Sequence, residues 1–478
     1  MEIFAKKTLL TSLVLSAGLI MGCSEQVESE SVQGTGNDNR MQVESSVAVT
    51  EALRARIESD ASTACIAAAR LQRNSDGSLT SERGFYCADE QTALPNADSR
   101  YEIGSISKAM LGGIFAHLAA SGKIDINDPL QAWVPEGIEV PQYNDEPILL
   151  RHMLTHTSGL PRLPALLMPD DVNDPYVDFS DEALWQSLTD AELVALPGEQ
   201  FGYSNFAFML LSKIAAEAAE MPLAELYAKT LFQPLEMANA SFTGETMQGF
   251  SAEGEPVVNW NFADDMQGVG GVRASLSDME AWVGAQLGVG PEPLTTAFAT
   301  SHEVLAETEQ ATVGWAWLYA PVQGTSYVTH GGGTGGFATM VAINPETQQA
   351  AIVLSNAALY QTGDVQALAI HLLDANIPPG APYISVAMPD SVNLADYFGY
   401  YEIMPGFVVH VFEEAGSLMI QATGQPSAPV AYAEEDIFEN VAFGARFVFS
   451  RNQDGEVDGV TLYQAGQELT GERRLTEE

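Results

Sequence analysis

The sequence predicts a mixed α/β (α+β) fold: an antiparallel sheet flanked by helices, a helical subdomain inserted into it, and a small all-β domain behind. Three observations carry this. Strand-like runs lie early, between residues 61 and 88, and return only from Val313 onward. From about 105 to 290 the chain reads as helices broken by proline and glycine. Past the break at Ile377-Pro378-Pro379-Gly380-Ala381-Pro382, short strand-like runs resume. Strands from both ends around a helical middle fit one sheet built by the two halves of a domain. At 478 residues there is material for a large core and for more than one domain.

The first element is a targeting segment. Lys6 and Lys7 precede an apolar run, Leu9 to Ile20, too short to span a membrane comfortably, so residues 1–22 read as a signal peptide. Leu19-Ile20-Met21-Gly22-Cys23 resembles the bacterial lipobox, in which cleavage precedes a cysteine that is then acylated. Ser24 implies the outer membrane by the same resemblance. The expectation is an exported protein, anchored through Cys23 to the outer membrane and facing the periplasm. Met21 is unusual in that motif, which leaves cleavage without a lipid open.

Residues 23–45 are polar and read as a flexible tether. The main domain is expected over 46–376 and begins with a helix, Val47 to Ile57. Ala61–Arg70 and Glu82–Ala88 read as strands joined through Asn74-Ser75-Asp76-Gly77-Ser78. A hairpin centred on Asp76 sets Cys65 opposite Cys87. That geometry permits a disulfide in an oxidising compartment, and two buried free thiols are the alternative. Late strands are expected at 313–318, 326–329, 338–343 and 350–354, then a helix from Asp364 to Leu373. A linker over 377–390 leads to the all-β domain, 391–478. There, runs at 407–412, 417–421, 445–449 and 459–463 and the hairpin signal Asn452-Gln453-Asp454-Gly455 predict a sheet or barrel.

The chemistry centres on Ser105-Ile106-Ser107-Lys108. A serine hydroxyl becomes a nucleophile only with a base within hydrogen-bond reach. If Ser105 opens a helix, Lys108 stands one turn on, on the same face. The following Ala109 to Ala120 is apolar nearly all round and reads as a buried helix. A lysine at the head of such a helix is paired or used. The plainer alternative is a capping serine beside a lysine that reaches out to solvent.

Acyl transfer also needs a second proton carrier and oxyanion donors. Tyr203-Ser204-Asn205 lies in a turn before a helix, Phe206 to Ala218. Tyrosine, with a pKa of about 10, becomes a base only beside a cation such as Lys108. Asn205 can offer its amide to substrate and to Lys108. The run His330-Gly331-Gly332-Gly333-Thr334-Gly335-Gly336 lies between strands, where glycines let a substrate backbone approach an edge. It also matches G-x-G-x-x-G, but a strand follows it and no βαβ unit surrounds it, so the dinucleotide reading fails.

Ser105-x-x-Lys108, Tyr203-Ser204-Asn205 and His330-Gly331-Gly332, in this order, resemble the class C β-lactamase-related serine hydrolases. That family spans β-lactamases, D-alanyl-D-alanine carboxypeptidases, D-amino-acid peptidases and esterases. Leu149 to Pro161, with Thr155-His156-Thr157-Ser158-Gly159-Leu160-Pro161, and Gly270 to Ser275 are similar to further family segments. The tail looks like the lipocalin-like domain of some members. The resemblance implies Ser105 as nucleophile, Lys108 as its activator and Tyr203 as proton shuttle. It implies the amides of Ser105 and Gly333 as oxyanion hole, and Asn205, His330, Gly331 and Gly332 as substrate contacts. No cofactor or metal is implied. His152 and His156 have metal-ligand spacing, but no third ligand motif lies near.

Lysine usually stands at the place of His330 in penicillin-recognising members. An unperturbed histidine is only about a quarter protonated at pH 7, although an acidic field could raise that. The expected function is therefore a serine hydrolase working through an acyl-enzyme on Ser105, cleaving a D-amino-acid peptide or a carboxylic ester. A true class C-type β-lactamase is the alternative. A lipid-tethered non-catalytic penicillin-binding or regulatory protein is the reading from another class. An α/β-hydrolase is not indicated, since its G-x-S-x-G elbow is missing. With 20 basic against 64 acidic residues, a net charge of −44 excludes nucleic acid as a partner. The expected partners are a small-molecule or peptide substrate and, through the lipid, a membrane. Oligomeric state is not legible.

Overall fold

A computed structural model describes residues 41–474, except 59–62, 90, 170, 172, 252–253, 359–361, 364, 381–387, 390, 405–406, 415–416, 423–427, 441–444 and 465–466. The expected signal peptide, Cys23 and the tether over 23–40 lie outside the described residues.

The chain opens with β1 (Met41–Ser45) and α1 (Val47–Ile57). The hairpin β2 (Cys65–Arg73) and β3 (Leu79–Cys87) follows, then a short β4 (Arg100–Glu102) that leads into α2 (Ile106–Ala120). The middle carries α3 (Leu150–Leu154), α4 (Asp181–Thr189), α5 (Asn205–Ala219) and α6 (Leu223–Tyr227). Next come the small strands β5 (Gly249–Phe250), β6 (Pro256–Val257) and β7 (Arg273–Ser275), then α7 (Leu276–Gln286) and α8 (Leu294–Ser301). The chain returns as β8 (Ala306–Glu307), β9 (Thr312–Val313), β10 (Leu318–Val322), β11 (Thr325–Gly333), β12 (Ala338–Asn344) and β13 (Gln349–Ser355), and α9 (Val365–Leu373) follows.

These strands form one nine-stranded sheet in the order β1-β3-β2-β13-β12-β11-β10-β9-β8. Early β2 pairs antiparallel with late β13, Ala69 opposite Ile352, so both ends of the domain complete the sheet. Side chains alternate with the pleat. Ala67, Ala69, Leu71, Val341, Ile343, Ile352 and Leu354 face the large core under α2, α5, α7 and α8. Ile66, Ala68, Met340, Ala342 and Val353 face α1 and α9 on the other side. With both faces covered, the central strands read as nearly continuous apolar runs. Cys65 and Cys87 sit opposite in register and are bonded to each other.

Three expectations need correction. The stretch expected as a tether to residue 45 is shorter at its end, because Met41–Ser45 pairs in parallel with β3. Backbone hydrogen bonding holds this mostly exposed edge strand, so hydropathy gave it no signal. The strand expected at 313–318 is broken: Gly314 to Trp317 leaves the sheet, with Ala316 at φ 69°. Its apolar side chains dock onto helices instead, and Trp317 stacks on Trp282 of α7 at 5.6 Å. The hairpin strands run on to Arg73 and start at Leu79, beyond their expected ends, and meet at the expected turn Asn74–Ser78.

The tail is a closed barrel of eight strands, from β14 (Gly399–Met404) to β21 (Gln467–Arg474), with β14 closing on β21 through Tyr401 opposite Arg473. Tyr397, Tyr401, Val411, Phe438, Phe447 and Phe449 fill its interior, as side chains do in barrels of this size. The sequence reading found four of these eight strands.

Candidate active site

Strand β4 delivers the chain to Gly104, whose φ of +51° turns it sharply into α2. A Cβ on Gly104 would lie 2.7 Å from the Gly333 nitrogen, so only glycine lets this turn nest against β11. Ser105 is the N-cap of α2 but makes no side-chain cap bond. Its Oγ lies 2.9 Å from Lys108 Nζ instead. Lys108 is fully buried, and Nζ also donates to the Val269 carbonyl at 2.5 Å. The alternative of a capping serine with a solvated lysine is thus excluded. Burial first, and the Arg162 charge second, hold the Lys108 ammonium well below the usual lysine range. That placement favours the neutral amine over the ammonium.

Tyr203 is fixed by the segment Leu149 to Pro161. His156, at φ 56°, accepts the Gly202 N–H on its carbonyl at 2.7 Å and the Ser204 N–H on Nδ1 at 3.1 Å. Its ring stacks on the Tyr203 ring at 4.1 Å. One histidine therefore holds the N–H groups of the residues on either side of Tyr203, Gly202 and Ser204, and packs on the side chain between them. Ser204 then caps α5 through Oγ to the Ala207 N–H, which makes Asn205 the first helical residue. His152 diverges, its Nδ1 accepting the Leu149 N–H at 3.2 Å. The two histidines do not share a ligand position.

Two expectations about charge change. Tyr203 was expected to be depressed by Lys108, but burial pushes its phenol up to about 12, against the downward pull of the Ser105 hydroxyl and Arg162. Lys108 Nζ lies 5.2 Å over the ring, but its own burial disfavours the charged form. The cation beside Tyr203 is Arg162, whose Cζ lies 5.3 Å over the ring. Asn205 was expected to reach Lys108, yet its Nδ2 donates to the Tyr176 hydroxyl at 3.3 Å.

His330 is buried on β11, opposite Val341, with Nδ1 donating to the Gly331 carbonyl at 2.7 Å. Burial, and then Lys108, hold its imidazole down at about 3, so it is neutral near pH 7. Burial thus outweighs the acidic field that could have raised its protonation. Gly331 and Gly332 continue β11 toward Gly333, which reaches the cleft.

Ser105, Asn205 and Gly333 line one small cleft. Its other walls are Tyr176, Trp260, Phe262, Val269, Gly270 and Thr334. Tyr176 stacks on Phe262 at 4.7 Å and meets Trp260 edge-on at 5.5 Å, which gives the cleft an aromatic side. Sequence reasoning missed Arg162 and this aromatic wall. Arg162 directly follows the family-like Leu160-Pro161 and carried a signal in being basic within an acid-rich chain. Tyr176 lies in the insert between Leu163 and Phe179, and nothing local marks it as facing the cleft.

Similarity to known proteins gives the family. The Beta-lactamase family matches residues 71–375, and a domain of unknown function, DUF3471, matches residues 385–473. The chain is 30% identical over 287 residues to the D-alanyl-D-alanine-carboxypeptidase/endopeptidase AmpH of Escherichia coli strain K12, covering 54% of this chain and 71% of that protein. A Yersinia pestis structure described as a beta-lactamase/D-alanine carboxypeptidase is similar at a TM-score of 0.53 and 25% identity, over 65% of this chain and 94% of that one. An octameric penicillin-binding protein homologue from Pyrococcus abyssi shares the fold at a TM-score of 0.55 and 20% identity, over 85% of this chain and 95% of that one. The chain belongs to the Beta-lactamase family.

Proposed function

We propose that this protein is a serine hydrolase that cleaves an amide or ester through an acyl-enzyme on Ser105, with a D-amino-acid peptide or a carboxylic ester as substrate. The observation that carries the reading is the sealed Lys108 amine 2.9 Å from Ser105 Oγ. A neutral amine can take the Ser105 proton as Oγ attacks the substrate carbonyl carbon. The carbonyl oxygen becomes an anion, which the Ser105 and Gly333 amides accommodate. The Tyr203 phenol, held protonated at rest, gives its proton to the departing amine or alkoxide and regains one from Lys108. Water then attacks the ester on Ser105 along the reverse path.

The relative described as a D-alanyl-D-alanine-carboxypeptidase/endopeptidase supports a peptide substrate. The neutral, buried His330 supports ranking β-lactams below peptides and esters, since it presents no cation to a penicillin carboxylate. The Cys65–Cys87 bridge supports an exported protein in an oxidising compartment. Acylation of Cys23 belongs to the same proposal. Intact-mass analysis after incubation with a fluorophosphonate or a penicillin is the test. An adduct of one reagent mass on wild type and none on Ser105→Ala is expected. An unmodified wild type, or an equal adduct on both, rejects catalysis through Ser105 and favours the non-catalytic binding reading. A chromogenic cephalosporin turned over faster than short esters and D-Ala-D-Ala peptides would reverse the substrate order.

A further inference from the structure

Arg162 is a cation without an acid. Among the described residues its guanidinium makes no hydrogen bond or ion pair to any side chain, and it is exposed. The chain carries 64 acidic against 20 basic residues. Arg70, Arg83, Arg273, Arg446, Arg451 and Arg474 each hold a carboxylate. Nor is Arg162 loosely placed. Its carbonyl accepts the N–H groups of Asn205 at 2.9 Å and Phe206 at 3.2 Å, which pins its backbone to the start of α5. Its guanidinium is spread over the Tyr203 ring. Its charge is also felt by Lys108, Tyr203 and Tyr176.

The other cations near the cleft are unavailable to a ligand. Lys108 is sealed and engaged with Ser105 and Val269. His330 is neutral and buried. The chemistry then fixes what an anion here would be. The group that protonates the leaving nitrogen is Tyr203, and in a peptide ending in a free amino acid one carbon separates that nitrogen from the terminal carboxylate. A cation stacked on Tyr203 is therefore placed to meet that carboxylate, and a guanidinium meets it with two parallel hydrogen bonds.

Resting on the acyl-hydrolase reading above, we propose that Arg162 is the carboxylate anchor of this site, selecting peptides whose leaving residue carries a free C-terminal carboxylate. A charge-assisted pair of this kind is worth about a ten- to hundredfold preference. The test compares kcat/KM for an acylated D-Ala-D-Ala peptide with that for the same peptide ending in an amide. The acid-to-amide ratio is the readout, because Arg162 also acts on Tyr203 and Lys108 and its loss affects both substrates. Wild type should prefer the acid about ten- to hundredfold. Arg162→Gln should bring the ratio near one, and Arg162→Lys should restore part of it. Lys123→Gln, which removes a positive charge from an exposed site away from the cleft, should keep it. A wild-type ratio near one, a ratio unchanged in Arg162→Gln, or cleavage of neither peptide overturns the anchor. Fluorophosphonate labelling of Ser105 in the same samples separates the two readings: labelled protein without an acid preference refutes the anchor alone, and unlabelled protein refutes both.

Discussion

Gly332→Ala tests whether the close seam between β11 and the nucleophile turn sets the rate. A Cβ at residue 332 would stand 1.9 Å from the Ile103 carbonyl oxygen and 2.4 Å from Thr339 Oγ1. Ordinary contact begins at 3.4 Å, so strand and turn must part by about 1.5 Å. Neither neighbour yields easily. Thr339 Oγ1 donates to that same Ile103 carbonyl at 2.9 Å, and the Ile103 N–H donates to Val272 at 3.0 Å. The turn carries Ser105 and the strand carries Gly333, so the two proposed oxyanion donors separate. Misplacement by about 1 Å costs about a hundredfold in rate, and loss of one oxyanion donor about a hundred- to thousandfold. The expected fall in Ser105 labelling rate and in ester kcat/KM is therefore about a hundred- to thousandfold. Overpacking should also lower stability by about 1–3 kcal/mol, read in a thermal melt. Gly331→Ala is the comparison: its Cβ would meet the flexible Met340 sulfur at 3.3 Å and should lose far less. A folded Gly332→Ala protein labelled as fast as wild type would refute the reasoning.

Other consequences can be measured with the same reagents. His156→Phe keeps the stack on Tyr203 but leaves the buried Ser204 N–H without its acceptor, at a cost of about 1–3 kcal/mol. Labelling should slow about tenfold by misplacing Tyr203, and an unchanged rate would show that the clamp is not needed. Because neutral Lys108 is the active form, labelling should rise with pH along a limb whose midpoint lies below lysine's usual 10.5. Activity is lost as pH falls through that midpoint, and a midpoint at or above 10.5 contradicts the assignment. Reducing the Cys65–Cys87 bridge, which spans 22 residues, should cost about 3 kcal/mol in denaturant unfolding. Equal midpoints with and without reductant would show that the bridge adds no stability.

What the sequence revealed followed the length scale of the interaction. The β2–β3 hairpin and the Ser105–Lys108 pair depend on spacing within a few residues or a symmetric register, and both were readable. The central strands were readable because burial on both faces leaves long apolar runs. Edge strand β1 is held by backbone hydrogen bonds and left no hydropathy trace. The Trp315–Trp317 segment looked like a strand because its apolar alternation is real, but its partners are helices rather than neighbouring strands. The protonation states were illegible for a related reason. Composition shows the −44 surface field, whereas desolvation inside the domain decides Lys108 and His330.

The polarity of the cleft follows from how an adjoining acid, Glu102, is handled. Glu102 ends the strand that leads to Ser105, and a free carboxylate there would oppose every negative charge that acyl transfer creates. It is buried, and its oxygens are occupied. One accepts the Trp260 N–H at 2.7 Å, the other accepts the Thr334 hydroxyl at 2.7 Å, and Arg273 stands 3.9 Å away. Its charge is thus turned to building the cleft, since Trp260 and Thr334 are two of its walls. Among the described residues, no carboxylate is hydrogen-bonded or ion-paired to Lys108, Arg162, His156 or His330. Crowding Lys108, His156 and His330 into a desolvated pocket disfavours positive charge on each, which explains how a lysine there can serve as a base. In a chain this acidic, keeping carboxylates away from these groups is as much a part of the site as the residues that line it.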